Sequence, residues 1–105
     1  MTPEGKVKRR VIKILQKYDA YYFSPVTGGF GRSGVPDIVA CYQGVFIGIE
    51  CKAGNNKPTA LQFKNFEDIH KNGGWVMVVN EETVEDVEAV LIYINHLREK
   101  MKWIG

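Results

Sequence analysis

Apolar residues recur along the chain at spacings that name its elements. Val7, Val11, Leu15 and Tyr18 follow helical periodicity, and Thr2-Pro3 stands before them in the order of an N-cap and first turn. Residues 21–26 read as a first strand, ended or bulged at Pro25. Residues 38–42 and 45–49 are apolar and rich in β-branched side chains, and Gln43-Gly44 between them signals a hairpin turn. Thr59 to Gln62 matches a capping box and opens a second helix. Its apolar side is Leu61, Phe63, Phe66 and Ile69, and Gly73-Gly74 ends it. Residues 75–79 are nearly all apolar, which predicts a strand buried on both faces. Thr83 is expected to cap a last helix with the stripe Val84, Val87, Leu91, Ile94, Leu97 and Met101. The order αβββαβα predicts an α/β fold, a mixed sheet flanked by helices, in one domain spanning residues 1–105.

The hairpin has a chemical consequence. If Gln43-Gly44 is the whole loop, residue 42 faces 45, and pairing outward sets Asp37 opposite Glu50 with Cβ atoms roughly 5 Å apart. Lys52 then shares the face of Glu50. Like charges placed opposite each other destabilise a ladder; a divalent cation between them reverses the sign. Gln disfavours the left-handed conformation of a tight turn, so a three-residue loop with a bulge at Gly44 is the alternative register. It leaves Asp37 diagonal to Glu50 and still within reach of a shared metal. The opposite face of the hairpin carries Ile38, Ala40, Ile47 and Ile49 and can pack on a helix.

Bulk properties narrow the class. Hydrophobic residues make up 45% and charged residues 25% of 105, the balance of a globular domain. No apolar run approaches the roughly 20 residues of a membrane span, and the N-terminus has no signal-peptide core. Cys41 and Cys51 fit no zinc pattern and read as buried, reduced thiols, which points to a cytoplasmic location. Net charge is only +2, but Lys6, Lys8, Arg9, Arg10, Lys13 and Lys17 crowd one segment and Glu81, Glu82, Glu85, Asp86 and Glu88 another. A basic and an acidic side suit a polyanionic partner; solvated helix faces are the plainer explanation. The loop 27–34 is glycine-rich but matches no phosphate-loop pattern. Glu4 lies on the core-facing stripe of the first helix, where compensation of the helix dipole is the structural explanation. His70 and His96 have no partners at metal spacing. Tyr21, Tyr22, Phe30 and Trp75 fit a core better than a base-stacking role.

Thr2-Pro3-Glu4, Gly34-Val35-Pro36-Asp37, Glu50-Cys51-Lys52 and Thr59 to Gln62, in this order over nearly the whole length, resemble the PD-(D/E)xK nuclease superfamily. Within it they resemble the virus-type replication-repair nucleases, the VRR-NUC domains. Asp37, Glu50 and Lys52 match the superfamily signature; Glu4 and Gln62 match extra positions of the VRR-NUC group. The resemblance implies a restriction-endonuclease-like core and metal-dependent DNA cleavage leaving a 5′-phosphate. Stand-alone versions look like phage proteins, which would place this one in the host-cell cytoplasm. They are similar in architecture to archaeal Holliday-junction resolvases, which work as dimers. The expected enzyme is therefore a Mg²⁺- or Mn²⁺-dependent endonuclease acting on branched DNA, too small to grip a junction except as a homodimer, with apolar residues such as Phe30, Trp75 and Trp103 available to the interface. Asp37, Glu50 and the backbone carbonyl of Cys51 would offer oxygens to the metal, with Glu4 at a second site. Lys52 would orient water or stabilise charge in the transition state, and Gln62 would position phosphate or water or serve only as a cap. Lys6, Arg9, Arg10, Arg32 and Lys57 are the candidate phosphate contacts. A non-cleaving branched-DNA binding module on the same scaffold is the alternative. A metal-stabilised structural protein is disfavoured, because structural sites are closed and ligand-rich.

Overall fold

The computed structural model describes residues 1–26 and 31–104, with side chains up to residue 100. The elements are α1 (Pro3–Lys17), β1 (Tyr21–Phe23), β2 (Ile38–Tyr42), β3 (Val45–Cys51), α2 (Ala60–Lys71), β4 (Trp75–Val79) and α3 (Asp86–Ile104). The sheet order is β1-β2-β3-β4. The first three strands are antiparallel, and β4 joins β3 in parallel after the α2 crossover. This is the mixed αβββαβα arrangement expected from the pattern.

Alternation along the hairpin divides the sheet into two layers. Ile38, Ala40, Tyr42, Ile47, Ile49 and Cys51 point to one face and are buried in a single core with Val7, Val11 and Leu15 of α1 and Val87, Leu91 and Ile94 of α3. On the other face α2 packs close, and Gly48 makes this possible. A Cβ there would lie 2.8 Å from Pro36 Cγ and 3.1 Å from Ile69 Cδ1. Gly48→Ala is therefore expected to lower stability by about 1–3 kcal/mol through overpacking, readable as a lower urea midpoint with an unchanged denaturant slope.

Several details differ from the sequence reading. The first strand stops at Phe23 rather than reaching residue 26. β4 is an edge strand with Val78 43% exposed, because only β3 pairs with it; its apolar sequence does not mean burial on both faces. On α2, Leu61 and Phe63 are exposed, and the inward side is Gln62, Asn65, Phe66 and Ile69. α3 starts at Asp86, not after a Thr83 cap. The Thr83 hydroxyl instead accepts from Asn80 N at 2.9 Å inside the turn that precedes the helix. Leu97 is half-exposed, and the side chain of Met101 lies outside the described residues. Cys41 is exposed, since it lies on the sheet face beyond the cover of α2; only Cys51 is buried.

Candidate active site

The turn fixes the site. Gln43 (φ +51°) and Gly44 (φ +83°) are both left-handed, as a two-residue hairpin loop of the mirror-image type requires. Tyr42 pairs with Val45 and Ile38 with Ile49, so the next positions outward are Asp37 and Glu50. The bulged alternative is not formed, and Gln43 tolerates its conformation because the strand pairing on both sides dictates it.

Two reciprocal bonds lock the carboxylates at the strand ends. Asp37 N donates to Glu50 Oε1 at 3.2 Å, and Cys51 N donates to Asp37 Oδ2 at 2.9 Å. Glu50 is 1% exposed. Its Oε2 accepts from Gln62 Nε2 at 2.7 Å and faces Lys52 Nζ at 3.2 Å. Burial pushes the Glu50 carboxyl above its ordinary range and the charge of Asp37 adds to this; Lys52 opposes both. The Cys51 thiol is driven up to about 12, mostly by burial, so it stays protonated and unreactive.

Gln62 reconciles its two sequence readings. Its Oε1 accepts from Thr59 N at 2.8 Å, completing the capping box, while its Nε2 holds Glu50. The cap orients the amide so that its remaining donor points into the sheet. A polar residue that the sequence reading passed over reinforces this arrangement. Asn65 is buried and donates to Ser33 O and Leu61 O, both at 3.0 Å, tying the segment before Pro36-Asp37 to α2. Its signal was available: Asn65 follows Gln62 by three residues on the inward side of the helix.

Glu4 is half-buried on α1, and its charge, like that of Lys8, reaches the Cys51 thiol. It does not close a ligand cluster. Among the described residues no three His, Cys, Asp or Glu side chains converge as a metal site. Basic residues meet different fates. Arg10 Nη1 donates to Glu81 O at 2.9 Å and Nη2 pairs with Glu85 at 3.2 Å, while Lys17 pairs with Glu88 at 2.8 Å. Arg32 pairs with Asp68. The expected basic and acidic sides therefore partly neutralise each other across α1 and the start of α3. Lys6, Arg9 and Lys57 are exposed and form no ion pair among the described residues. Of the glycine-rich loop, residues 27–30, Phe30 among them, lie outside the described residues, as does the side chain of Trp103.

No family model matches the chain. A protein of Acyrthosiphon pisum secondary endosymbiont phage 1, named "Putative nuclease p44", is 29% identical over 93 residues, covering 88% of this chain and 95% of its own length. A solved structure described as a VRR_NUC domain matches with a TM-score of 0.72 at 28% identity, over 83% of this chain and 95% of that one. In fold and in sequence the chain resembles a VRR-NUC domain. The VRR-NUC frame gives the locked hairpin a meaning that ion pairing alone does not. A surface Glu50–Lys52 pair would be commonplace, but here the acid is fully buried beside a second acid, held by an amide from another helix.

Proposed function

We propose that this VRR-NUC-type domain, comprising residues 1–105, is a divalent-metal-dependent DNA endonuclease acting on branched DNA. The observation that carries this reading is the pairing of Asp37 with the buried Glu50 at the mouth of the hairpin, with Lys52 and Gln62 on the same carboxylate. Two adjacent carboxylates, one pushed toward protonation by burial and its neighbour and only partly offset by Lys52, are an oxygen site short of positive charge. Mg²⁺ or Mn²⁺ suits that donor set, because Mg²⁺ takes one or two carboxylates and keeps several waters. Asp37, Glu50 and the Cys51 carbonyl would hold it, with Glu4 acting from the α1 side through water. When bound, the cation acidifies water and offsets the charge that develops on the phosphate.

The chain's own groups do the remaining work. Gln62 and the Asp37 amide fix the rotamer of Glu50, so its oxygens need no reorganisation when substrate arrives. Lys52 is 13% exposed and stands 3.2 Å from Glu50, a place from which it would stabilise negative charge on the phosphate. Asp37, Glu50, Lys52 and Gln62 are the residues we assign to catalysis, and Lys6, Arg9 and Lys57 to phosphates farther along the DNA. Arg10 and Arg32 would have to leave carboxylate partners to join them.

Size and surface support a homodimer as part of this proposal. One small domain spans little of a junction, and it leaves Tyr21 71%, Phe23 47%, Phe46 43% and Tyr93 54% exposed. Two copies about a twofold axis would present two sites to two strands. The test is incubation of the purified protein with a four-way junction, a flap, linear duplex and single-stranded DNA, each with Mg²⁺, Mn²⁺ or EDTA. Metal-dependent nicking of the junction in preference to duplex is expected. Binding of the junction without cutting under any metal would replace the enzyme by a recognition module.

A further inference from the structure

Helical phase separates the basic residues of α1 into two groups. At 3.6 residues per turn, buried Val7, Val11 and Leu15 mark the inward stripe, and Glu4 lies within it. Lys6, Arg9 and Lys13 project from the far side and Arg10 from the flank that meets Glu81 and Glu85; all four are exposed around one shallow depression. With side chains a helix is about 10–12 Å across. Cations on the far side therefore cannot touch a phosphate that lies against Asp37 and Glu50.

Lys8 stands apart from that group. It follows Glu4 by one turn, on the flank of the inward stripe, and is half-buried. Its charge reaches the buried Cys51 thiol, whose backbone N–H holds Asp37. Among the described residues it takes part in no ion pair, whereas Arg10, Lys17, Arg32 and Lys52 all do. The aliphatic stem of Lys8 is partly covered, while its ammonium has no carboxylate partner among the described residues and can take an anion. Lys52 approaches the carboxylates along the sheet face that α2 covers; Lys8 approaches the same strand end from the α1 side.

Resting on the nuclease reading above, we propose that Lys8 is a phosphate-binding residue of the site, gripping the backbone of the DNA strand that lies across Asp37 and Glu50 from the side opposite Lys52. The structural alternative is a lysine whose stem merely packs on α1 and whose charge relieves Glu4 one turn away. The two differ in salt dependence, because each phosphate neutralised releases counterions from the DNA.

The experiment measures binding of a fluorescent four-way junction and a linear duplex in EDTA across a salt titration. It compares wild type, Lys8→Met, Lys8→Gln and Lys8→Arg. Lys8→Met keeps the aliphatic stem, so it removes charge with little loss of packing. The slope of log affinity against log salt is expected to fall by about 0.9 for duplex DNA in the Met and Gln variants and to return to the wild-type value in the Arg variant. Melting temperatures should stay within a few degrees of wild type. Cleavage at saturating DNA with Mg²⁺ should fall about tenfold in Lys8→Met and recover in Lys8→Arg. An unchanged slope in Lys8→Met and Lys8→Gln overturns the proposal, as does a wild-type protein that binds neither DNA. Because the binding arm needs no cleavage, its result stands apart from the enzyme reading. A wild type that cuts nothing sinks that reading alone, and a wild type that cuts while Lys8→Met keeps the full slope sinks Lys8 alone.

Discussion

Glu50→Gln is expected to eliminate cleavage while making the metal-free protein melt higher than wild type. Glutamine keeps the shape of glutamate but not its charge. Lewis-acid stabilisation of a phosphoryl transition state is worth several kcal/mol, and about 1.4 kcal/mol corresponds to a tenfold change in rate. Losing this ligand should therefore slow turnover by on the order of 10³-fold. The stability effect has the opposite sign for a physical reason. Burial first, and Asp37 second, raise the Glu50 carboxyl above its ordinary value of 4.5, with Lys52 only partly compensating. The folded state thus binds this proton more tightly than the unfolded chain. Between 4.5 and the raised folded value, stability declines as pH rises, and above the folded value the whole penalty is present. The amide removes that penalty. Melting curves in EDTA should accordingly show a gap between the variant and wild type that is wide at neutral pH and closes as pH falls below 4.5. A variant that melts lower at neutral pH would mean that the ion pair with Lys52 outweighs burial. A variant that cuts at the wild-type rate would remove Glu50 from the chemistry.

Lys52→Ala is expected to separate the same two quantities in a different way. Losing a charge partner of the transition state costs about 10²-fold or more in turnover, while binding of DNA, which rests on many phosphates, changes little. Stability in EDTA should fall rather than rise. The substitution leaves the buried Glu50 with Gln62 and the Asp37 amide but no cation. For a wholly buried pair such a break costs about 3–5 kcal/mol; Lys52 retains some contact with water, so the loss should be smaller. Single-turnover cleavage, junction affinity and melting measured on one preparation check all three. Full activity in Lys52→Ala would reduce the lysine to a structural partner of Glu50.

The elements that could be read from sequence are those set by near neighbours: the Thr2 cap, the capping box at Thr59 and Gln62, the helical stripe of α1, the middle of the α3 stripe at Val87, Leu91 and Ile94, and the alternation of the hairpin. Where the reading went astray, a neighbour decided. The all-apolar β4 is half-exposed because among the described residues no strand pairs with its outer edge, and Cys41 is exposed because it lies on the α2 face of the sheet beyond the cover of that helix. Leu61 and Phe63 were assigned inward by hydrophobicity, yet the inward positions went to Gln62 and Asn65, which have carboxylate and carbonyl acceptors waiting in the sheet and in the preceding loop.

By itself, then, the sequence determined the hairpin and narrowed its register to two, both of which keep Asp37 within reach of Glu50; the structure selects the two-residue loop that sets them at facing positions. It also determined the Thr2 and Thr59 caps and the order of elements, all of which depend on residues within a few positions of one another. Only the tertiary structure decided that Glu50 would be buried, that the Gln62 amide would bridge a helix cap and a carboxylate, and that Arg10 and Arg32 would be taken up by acids 75 and 36 residues away. Burial and long-range ion pairing depend on which surfaces the packed helices cover, and no local pattern encodes that.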